Sequence, residues 1–410
     1  MRILHTSDWH LGQHFMGKSR QAEHQALIAW LLAQVEEQAV DAVLVAGDIF
    51  DSGTPPSYAR ELYSQLVVRL HEAGVALLLL GGNHDSVATL GESRDLLARL
   101  GATVVAAASD DAEAQVVVLP QRNGEPGCIV CAIPFIRPRD VLQSQAGQSA
   151  EDKQLSLQTA IQAHYSAVFT AASECQKALQ TTLGRKLPLI ATGHLTTVGA
   201  STSESVREIY VGALEAFPTT AFPPADYIAL GHIHRPQKVG GQENIRYCGS
   251  PLPLSFDEAR QQKEVLLVDL NAEGLQAVTA LPVPRFQGLA SITGNLATLA
   301  GPIGAAAAEG TRERPTWLEV TVADDDYLAD LPARIEVLTA AWPVEVLRIR
   351  RQRGNAAARL ASDALETLDE LSPHDVFSRR LQQEELAEDL QLALSERYRR
   401  IVTDLQEEAE

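Results

Sequence analysis

Short apolar runs alternate with longer helix-like stretches over the first 110 or so residues of the chain. Arg2 to Leu4, Ala42 to Ala46 and Val75 to Leu80 are short, continuous and apolar, which is typical of buried strands. Between them, apolar residues recur at helical spacing, as in the stretch from Leu27 to Val35. The alternation predicts an α/β core.

Further apolar runs extend the predicted core to about residue 280. These runs lie at Thr103 to Ala106, Ala114 to Leu119, Cys128 to Ile133, Leu187 to Ala191, Tyr227 to Leu230, Ile245 to Cys248 and Val265 to Leu270. An Ala- and Gln-rich stretch near 141–186 lacks strand character, and we interpret it as one or two helices inserted on the core. Residues 1–280 are therefore predicted to form one domain with a helical insertion.

The rest of the chain predicts two smaller parts. Residues 283 to 315 are rich in Pro, Gly and Ala and mark a boundary. A strand from Trp317 to Val322, a helix from Leu331 to Thr339 and a strand from Val344 to Ile349 then predict a small α+β cap domain, residues 281–353. Residues 354–410 are predicted to hold a linker, near 354–372, and a C-terminal helix. The apolar face of this helix would contain Phe377, Leu381, Leu386, Leu390, Leu394, Tyr398, Ile401 and Leu405.

Composition narrows the class of protein. Hydrophobic residues make up 45% of the sequence but never run for about 18 positions, the length that a membrane-spanning helix needs. The first residues turn polar too early for a signal peptide, so we expect a cytoplasmic protein without a membrane partner. A net charge of −19 argues against a broadly basic surface, so contact with nucleic acid would depend on local patches or metal ions.

The four cysteines are too few and too scattered for a disulfide framework. Only Cys128 and Cys131 form a CxxC pair, and this pair lies inside an apolar, strand-like run. A second CxxC that could complete a zinc site is absent from the sequence. We interpret the pair as buried structural thiols.

Five polar clusters directly follow predicted strands. In open α/β sheets, ligand sites lie beyond the carboxyl ends of strands, so distant loops can converge. The donors are carboxylate, imidazole and carboxamide, which suit Mn²⁺ or another first-row divalent ion better than a structural zinc. Each cluster alone is more typical of a cap or a turn, but the ordered set predicts a site for two metal ions. The clusters are Asp8-Trp9-His10, Gly47-Asp48, Gly82-Asn83-His84-Asp85, Gly193-His194 and Gly231-His232-Ile233-His234.

These clusters resemble the five motifs of the calcineurin-like metallophosphoesterases, and all five are present in order. The runs Leu4 to Gly12 and Ala46 to Asp51 are similar to the SbcD family of bacterial nuclease subunits and to the double-strand-break repair nucleases of archaea and eukaryotes. Asp51 stands where the archaeal and eukaryotic relatives typically carry a histidine, which favours the bacterial branch. The resemblance implies an α/β fold, a sandwich of two β-sheets flanked by helices, with a small α+β cap domain and a C-terminal helical tail.

The resemblance also implies roles for single residues. His84 would stabilise the transition state or protonate the leaving oxygen, with Asp85 orienting its imidazole. The implied reaction is hydrolysis of DNA with the help of two divalent ions, namely Mn²⁺. The protein would act as a double-strand exonuclease and as a single-strand and hairpin endonuclease. One ion would be held by Asp8, His10 and His234 and the other by Asn83, His194 and His232, with Asp48 bridging them.

The resemblance further implies a partner, an ABC-type ATPase called SbcC, which would bind the C-terminal helix. A homodimer of this chain within a heterotetramer is implied as well, acting on DNA at the nucleoid in repair, recombination and replication. The residues of the tail are consistent with a protein partner. Residues 366 to 410 carry 13 acidic and 5 basic side chains, which disfavours nucleic acid, and an apolar stripe suits a protein groove. Folding of the stripe back onto the core is the alternative.

Basic residues at two places are candidate DNA contacts. Lys18 and Arg20 enter the helix that follows the first motif. Arg348, Arg350, Arg351 and Arg353 lie at the end of the last predicted strand of the cap, where an ordinary solvated strand end explains them equally well.

The run Gly12 to Ser19 matches the phosphate-binding loop pattern G-x-x-x-x-G-K-S. A loop of that kind begins directly at a strand end, whereas Asp8 and His10 intervene here. Bulky Phe15 and Met16 also occupy the loop. We therefore do not interpret it as a nucleotide site.

Two other functions fit parts of the sequence. A phosphoesterase for nucleotides or phosphoproteins would use the same ligands but would not need the cap and the tail. An adaptor that keeps the fold and binds DNA or a partner without catalysis would not need a complete ligand set or His84. A nuclease is the function that accounts for all of these features.

Overall fold

The structure is a computed structural model that describes residues 1–142, 150–206, 216–323 and 330–352, together with 394, 397 and 398. The chain divides into two compact units. The larger unit comprises Met1–Ile292, Ile303–Glu319 and Thr339–Arg348, and the smaller comprises Thr293–Pro302, Val320–Leu338 and Ile349–Glu410.

The strands and helices alternate through the first part of the chain, as the apolar pattern predicts. The strands are β1 (Arg2–Thr6), β2 (His14–Phe15), β3 (Lys18–Ser19), β4 (Ala42–Val45), β5 (Ala76–Leu80), β6 (Ala102–Val105), β7 (Val116–Pro120), β8 (Pro126–Cys131), β9 (Leu189–His194), β10 (Tyr227–Gly231), β11 (Gln237–Lys238), β12 (Ile245–Tyr247), β13 (Glu264–Asn271), β14 (Gly274–Pro282), β15 (Leu289–Gly294), β16 (Thr316–Val322) and β17 (Val344–Arg351). The helices are α1 (Gln21–Glu37), α2 (Ser57–Glu72), α3 (Val87–Gly91), α4 (Arg94–Arg99), α5 (Pro138–Val141), α6 (Ala150–Leu183), α7 (Ala300–Ala307) and α8 (Leu331–Thr339).

Two six-stranded sheets form the body of the larger unit. The first has the order β14-β13-β1-β4-β5-β6 and the second the order β11-β12-β10-β9-β8-β7. Strands β1, β4, β5 and β6 pair in parallel, and so do β8, β9, β10 and β12. Because parallel strands point the same way, their carboxyl ends share one edge of each sheet.

Side-chain alternation along each strand lets both faces of a sheet be covered. In β4, Leu44 belongs to an apolar cluster shared by the two sheets, whereas Val43 and Val45 pack with residues of α1 and α2. Helix α6 covers the outer face of the second sheet through residues such as Ile161 and Tyr165. The order of layers is therefore helix, sheet, sheet, helix, and the predicted α/β sandwich is confirmed.

The two cysteines of the CxxC pair lie on opposite faces of β8. Cys128 belongs to the cluster between the sheets and Cys131 to the cluster under α6. Both are fully buried, and burial raises the pKa of the Cys131 thiol to about 12. The pair therefore cannot share a metal ion, and its interpretation as structural thiols is confirmed.

Most predicted elements are present, and the main errors lie after residue 270. The Ala- and Gln-rich insertion forms one helix of 34 residues, α6. Strand β14, which pairs with β13 and forms the edge of the first sheet, was not predicted, and β15 and α7 lie in the stretch that was interpreted as a boundary. The composition of this stretch was misleading because α7 carries Gly and Pro, yet Pro302 occupies the first turn, where proline is tolerated.

The run that matches a phosphate-binding loop is a β-hairpin made by β2 and β3. Positive φ angles at Met16 and Gly17 suit the tight turn between the two strands. Phe15 is buried, with its ring centroid 5.6 Å from that of Trp317 and 5.0 Å from that of Phe256. The bulky residue that argued against a nucleotide loop is thus an apolar anchor.

A third sheet has the order β15-β16-β17. The strand and helix predictions at Trp317 to Val322, Leu331 to Thr339 and Val344 to Ile349 agree with β16, α8 and β17. The predicted linker near 354–372 and nearly all of the predicted C-terminal helix lie outside the described residues. Within the described residues, helices long and apolar enough to cross a bilayer are absent.

Candidate metal centre

The predicted ligands converge where the carboxyl ends of the two sheets meet. The first three motifs follow β1, β4 and β5 of the first sheet, and the last two end β9 and follow β10 of the second. Three groups of side chains place their ligand atoms within 4.8 Å of one another. These groups are Asp8 with His10 and His234, His10 with Asp48 and His84, and Asp48 with His194 and His232.

Glycines make this convergence possible. A Cβ atom on Gly82 would lie 2.1 Å from Oδ1 of Asp48, and one on Gly231 would lie 1.9 Å from the carbonyl oxygen of Ala46. Any residue other than glycine at either position would push these neighbouring atoms away and open the site. Gly82 therefore sets how closely the loops after β4 and β5 approach, and Gly231 sets how closely the two sheets approach at their ends.

Several ligand candidates themselves have strained backbones. Positive φ angles are found at Asp8 (53°), His10 (47°), Asp48 (51°) and His232 (92°). Left-handed conformations cost about 1–3 kcal/mol for such residues and persist only when the surroundings enforce them. Backbone hydrogen bonds hold these residues in place. The amide of Asp8 donates to the carbonyl oxygen of Gly47 (3.0 Å), and the amide of His10 donates to the carbonyl oxygen of Asp48 (3.1 Å).

Asp48 occupies the middle of the site and is almost fully buried. Its Oδ2 atom lies 3.2 Å from Nε2 of His194 and 3.7 Å from Nε2 of His10. Its Oδ1 atom accepts the backbone amide of His84 at 2.9 Å. One carboxylate thus faces a histidine from each of the two outer ligand groups.

His194 is oriented by the first sheet. Its Nδ1 donates to the carbonyl of Ala46 at 2.9 Å, which leaves Nε2 facing Oδ2 of Asp48 and Oδ1 of Asn83, the latter at 2.9 Å. Burial opposes a positive charge on His194, but attraction to Asp48 outweighs it and raises the pKa to about 9. Burial likewise opposes the charge on Asp48, yet His194 and its neighbours hold the pKa of Asp48 well below its usual range.

The donor set fits a pair of divalent cations. Nε2 of His10 and Nε2 of His232 are buried and have no hydrogen-bond partner among the described residues. A buried imidazole nitrogen left in that state is costly, and a bound cation would satisfy it. Burial, followed by the charge of His194, lowers the pKa of His232 well below its usual range, which keeps this imidazole neutral as a metal ligand requires.

His84 is held by a different partner from the one expected. Its Nδ1 donates to the carbonyl oxygen of Asp51 at 2.9 Å, and its ring centroid lies 4.6 Å from that of His10. The carboxylate of Asp85 instead accepts three backbone amides, those of Ile49 (3.1 Å), Phe50 (2.9 Å) and Gly82 (2.9 Å). Asp85 therefore ties the loop after β4 to the loop after β5 and supports His84 through the backbone.

Asp85 performs this role as a buried carboxyl group beside another carboxylate. Burial, and next the charge of Asp48, raises its pKa to about 6. The three amide hydrogen bonds act in the opposite direction. Because these amides belong to both motif loops, Asp85 fixes the distance between Asp48 and the Asn83-His84 pair.

The chain is similar to known proteins over most of its length. The family model for calcineurin-like phosphoesterases matches residues 1–236, and a model described as "Type 5 capsule protein repressor C-terminal domain" matches residues 285–385. SbcD of Escherichia coli K12, a component of the nuclease SbcCD, is 51% identical over 394 residues, which cover 96% of each chain. The chain belongs to the SbcD family.

More distant members of the SbcD family cover less of the chain. The SbcD protein from Rhodobacter capsulatus is 35% identical over 84% of this chain and 88% of that protein. The SbcD protein from Bacillus subtilis is 30% identical over 66% of each. A solved dimetal phosphatase from Danio rerio is 11% identical, with a TM-score of 0.38 over 69% of this chain and 98% of that one, and we draw nothing from so distant a likeness. Membership of the SbcD family makes the chain a metallophosphoesterase that uses divalent metal ions.

Several groups that support this SbcD site received no role from the sequence. The carboxylate of Asp51, whose role the sequence left open, lies 3.1 Å from Nδ1 of His10. Ser205 and Glu258 lie behind His234, with the Ser205 hydroxyl 2.6 Å from Nδ1 of that histidine. Asp51 could have been found because it lies three residues after Asp48. Ser205 lies in an irregular loop and Glu258 ends a short 3₁₀ helix, Phe256–Glu258, and neither residue carries a comparable signal in the sequence.

The predicted DNA contacts have varied surroundings. Arg20 is buried, donates to both carboxylate oxygens of Glu23 and does not fit a direct phosphate contact. Lys18 forms an ion pair with Glu345. Arg348 pairs with Glu319 and lies over the ring of Phe256. The exposed Arg350 and Arg351 end β17, and Arg353 lies outside the described residues.

The raised pKa of His194 makes metal binding by this SbcD protein depend on pH. An ion must displace the proton that His194 holds up to about pH 9, so apparent Mn²⁺ affinity should still rise between pH 7 and 8.5. One released proton gives a gain of up to about tenfold per pH unit. Calorimetry at several pH values measures this slope. A plateau above pH 7 would contradict the raised pKa.

Proposed function

We propose that the chain is the nuclease subunit of an SbcCD complex and hydrolyses phosphodiester bonds of DNA with two Mn²⁺ ions. The position of Asp48 is the main support, because its Oδ2 atom lies within 3.2 Å of His194 and 3.7 Å of His10, which belong to different ligand groups. A carboxylate in that position can bridge two ions. The ligands proposed for the first ion are Asp8, His10 and His234, and those for the second are Asn83, His194 and His232.

Mn²⁺ is proposed on the chemistry of the donors. Imidazole nitrogens together with carboxylate and carboxamide oxygens suit a first-row divalent ion, and thiolates are absent from the three ligand groups. When bound, two such ions polarise the phosphodiester, lower the pKa of a water molecule and offset charge in the transition state. The protein contributes fixed ligands in a buried setting, where the left-handed backbone conformation of Asp8, His10 and Asp48 directs their side chains at the centre.

His84 is proposed as the residue that exchanges a proton with the substrate. Its Nδ1 hydrogen is committed to the Asp51 carbonyl, so Nε2 is the atom that would face the substrate. Only a ring protonated at both nitrogens could give the Nε2 proton to the leaving oxygen or donate it in a hydrogen bond to the transition state. Its backbone amide is anchored on Asp48. The imidazole is thus positioned by the same carboxylate that would bridge the ions.

DNA is the proposed substrate, with double-strand exonuclease and single-strand and hairpin endonuclease activities, and membership of the SbcD family supports this proposal. The arginines at the end of β17 are the best-exposed of the predicted DNA contacts. Lys18 and Arg348 already have acidic partners in the structure, so they would contact phosphate only by exchanging those partners. With a net charge of −19, the attraction for DNA must come from local basic patches or from bound metal ions.

The relatives are named as components of SbcCD, and we propose an SbcC-type ATPase as the partner and a homodimer of this chain within a heterotetramer. The C-terminal helix is the proposed contact with the ATPase. Its support is the acidic balance and apolar stripe of residues 366–410.

Replacing Asp48 by Ala should abolish activity and remove both ions, because both would lose a shared ligand. Mn²⁺ calorimetry and a labelled blunt duplex or hairpin measure the two effects. Asp110→Asn, which alters an exposed carboxylate, is the matched control and should behave as wild type. Two unaltered Mn²⁺ sites in Asp48→Ala would contradict the bridging role.

Replacing His84 by Ala should separate catalysis from metal binding. The rate should fall by about 10² to 10⁴-fold, the usual contribution of general acid–base catalysis, while both ions remain visible in crystals soaked with Mn²⁺. His71→Ala removes an exposed histidine and serves as control. Loss of an ion would make His84 a ligand instead, and a fall of less than tenfold would argue against proton transfer.

Deleting residues 366–410 should leave weak Mn²⁺-dependent nuclease activity but prevent co-purification with the ATPase and remove ATP-stimulated cleavage. The thermal stability of the truncated chain distinguishes the alternative. If the apolar stripe folded back onto the core, its deletion would lower the melting temperature, whereas docking on the ATPase predicts an unchanged core. Co-purification at full yield, or a marked loss of stability, would refute the docking role.

A further inference from the structure

A buried ion pair lies directly behind one of the proposed metal ligands. Nζ of Lys263 lies 2.6 Å from Oε2 of Glu258, and their side chains are 3% and 0% exposed. The desolvation of two such charges is expensive, so a buried pair is weak evidence of a contribution to stability. Its surroundings indicate what else it does.

The pair contacts both the backbone and the ring of His234. Lys263 donates to the carbonyl oxygen of His234 at 2.9 Å and to the hydroxyl of Ser250 at 3.1 Å. Oε1 of Glu258 lies 3.4 Å from Nδ1 of the His234 ring. The amide of Leu254 donates to Oε2 at 3.0 Å, which fixes the carboxylate from the other side.

A hydroxyl group between Glu258 and His234 determines where the imidazole proton lies. Ser205 donates to Oε1 of Glu258, and its oxygen is 2.6 Å from Nδ1 of His234. A hydroxyl has one hydrogen, and here it is committed to the carboxylate. The Ser205 oxygen must therefore accept from the Nδ1 hydrogen of His234, which leaves the lone pair on Nε2.

We propose that Glu258, held by Lys263 and acting through Ser205, is a positioning residue that fixes the ring and the tautomer of His234 for metal binding. The proposal rests on the proposed two-ion function, in which His234 binds the ion shared with Asp8 and His10. Carboxylates behind a metal-bound imidazole commonly fix its tautomer and increase its basicity. The ion held by Asn83, His194 and His232 has no such dependence on Glu258.

The test uses the full-length chain and Mn²⁺ calorimetry, with thermal unfolding measured in parallel. Glu258→Gln should weaken one of the two sites by about 10 to 100-fold, the usual effect of removing such a partner, and leave the other unchanged. Ser205→Ala should weaken the same site with little effect on the melting temperature. Asp269→Asn, which breaks the partly exposed pair with Arg2, is the control and should leave both sites unchanged.

A double variant separates positioning from a merely structural role. Glu258→Met with Lys263→Met replaces the pair by apolar side chains, an exchange that commonly preserves stability. We expect the melting temperature of the double variant to be no lower than that of Glu258→Gln, while the Mn²⁺ affinity of the same site stays reduced. Wild-type affinity at both sites in the double variant, or in both Glu258→Gln and Ser205→Ala, would overturn the inference and leave the two-ion function standing. Wild-type protein that binds fewer than two ions would instead overturn the two-ion function and this inference with it.

Discussion

The burial of the Asp48 carboxylate at the junction of two sheets is the constraint on which the rest of the site depends. A carboxylate without solvent contact needs compensating charge or hydrogen bonds. His194 and His10 approach its Oδ2 atom, and the amide of His84 binds its Oδ1 atom. Groups from three loops are therefore directed at one side chain. The same arrangement provides a position between two metal ions.

The loops approach closely because glycines replace larger residues at the contacts and because several other residues have strained backbone conformations. Gly82 and Gly231 leave no room for a Cβ atom, and Asp8, His10, Asp48 and His232 all have positive φ angles. Each strained residue costs about 1–3 kcal/mol. The sandwich tolerates this cost because its three apolar layers are continuous and because Asp85 fastens two of the loops through three amides.

The histidines of the site share one hydrogen-bond arrangement. An acceptor behind each ring accepts the hydrogen of one imidazole nitrogen, and the other nitrogen faces the metal centre. For His194 and His84 that acceptor is a carbonyl oxygen, of Ala46 and Asp51 respectively. For His10 it is the carboxylate of Asp51, and for His234 it is the Ser205 hydroxyl backed by Glu258. The acceptors come from different parts of the chain, so the site forms only when the whole sandwich is folded.

The sequence by itself determined the α/β core, the five motif loops and the chemistry of the donors, whereas the two-sheet sandwich was expected only from the family resemblance. Each of these depends on local patterns: apolar runs of strand length, helical spacing, and polar residues directly after a strand. The partners of the ligands were decided only by the tertiary structure. The contact between Asp85 and the amides of Ile49 and Phe50, and the pair of Glu258 with Lys263, join residues that no periodic pattern relates. Only the tertiary structure also excludes Arg20 from phosphate contact, because its burial follows from the packing of the whole larger unit and not from the residue type.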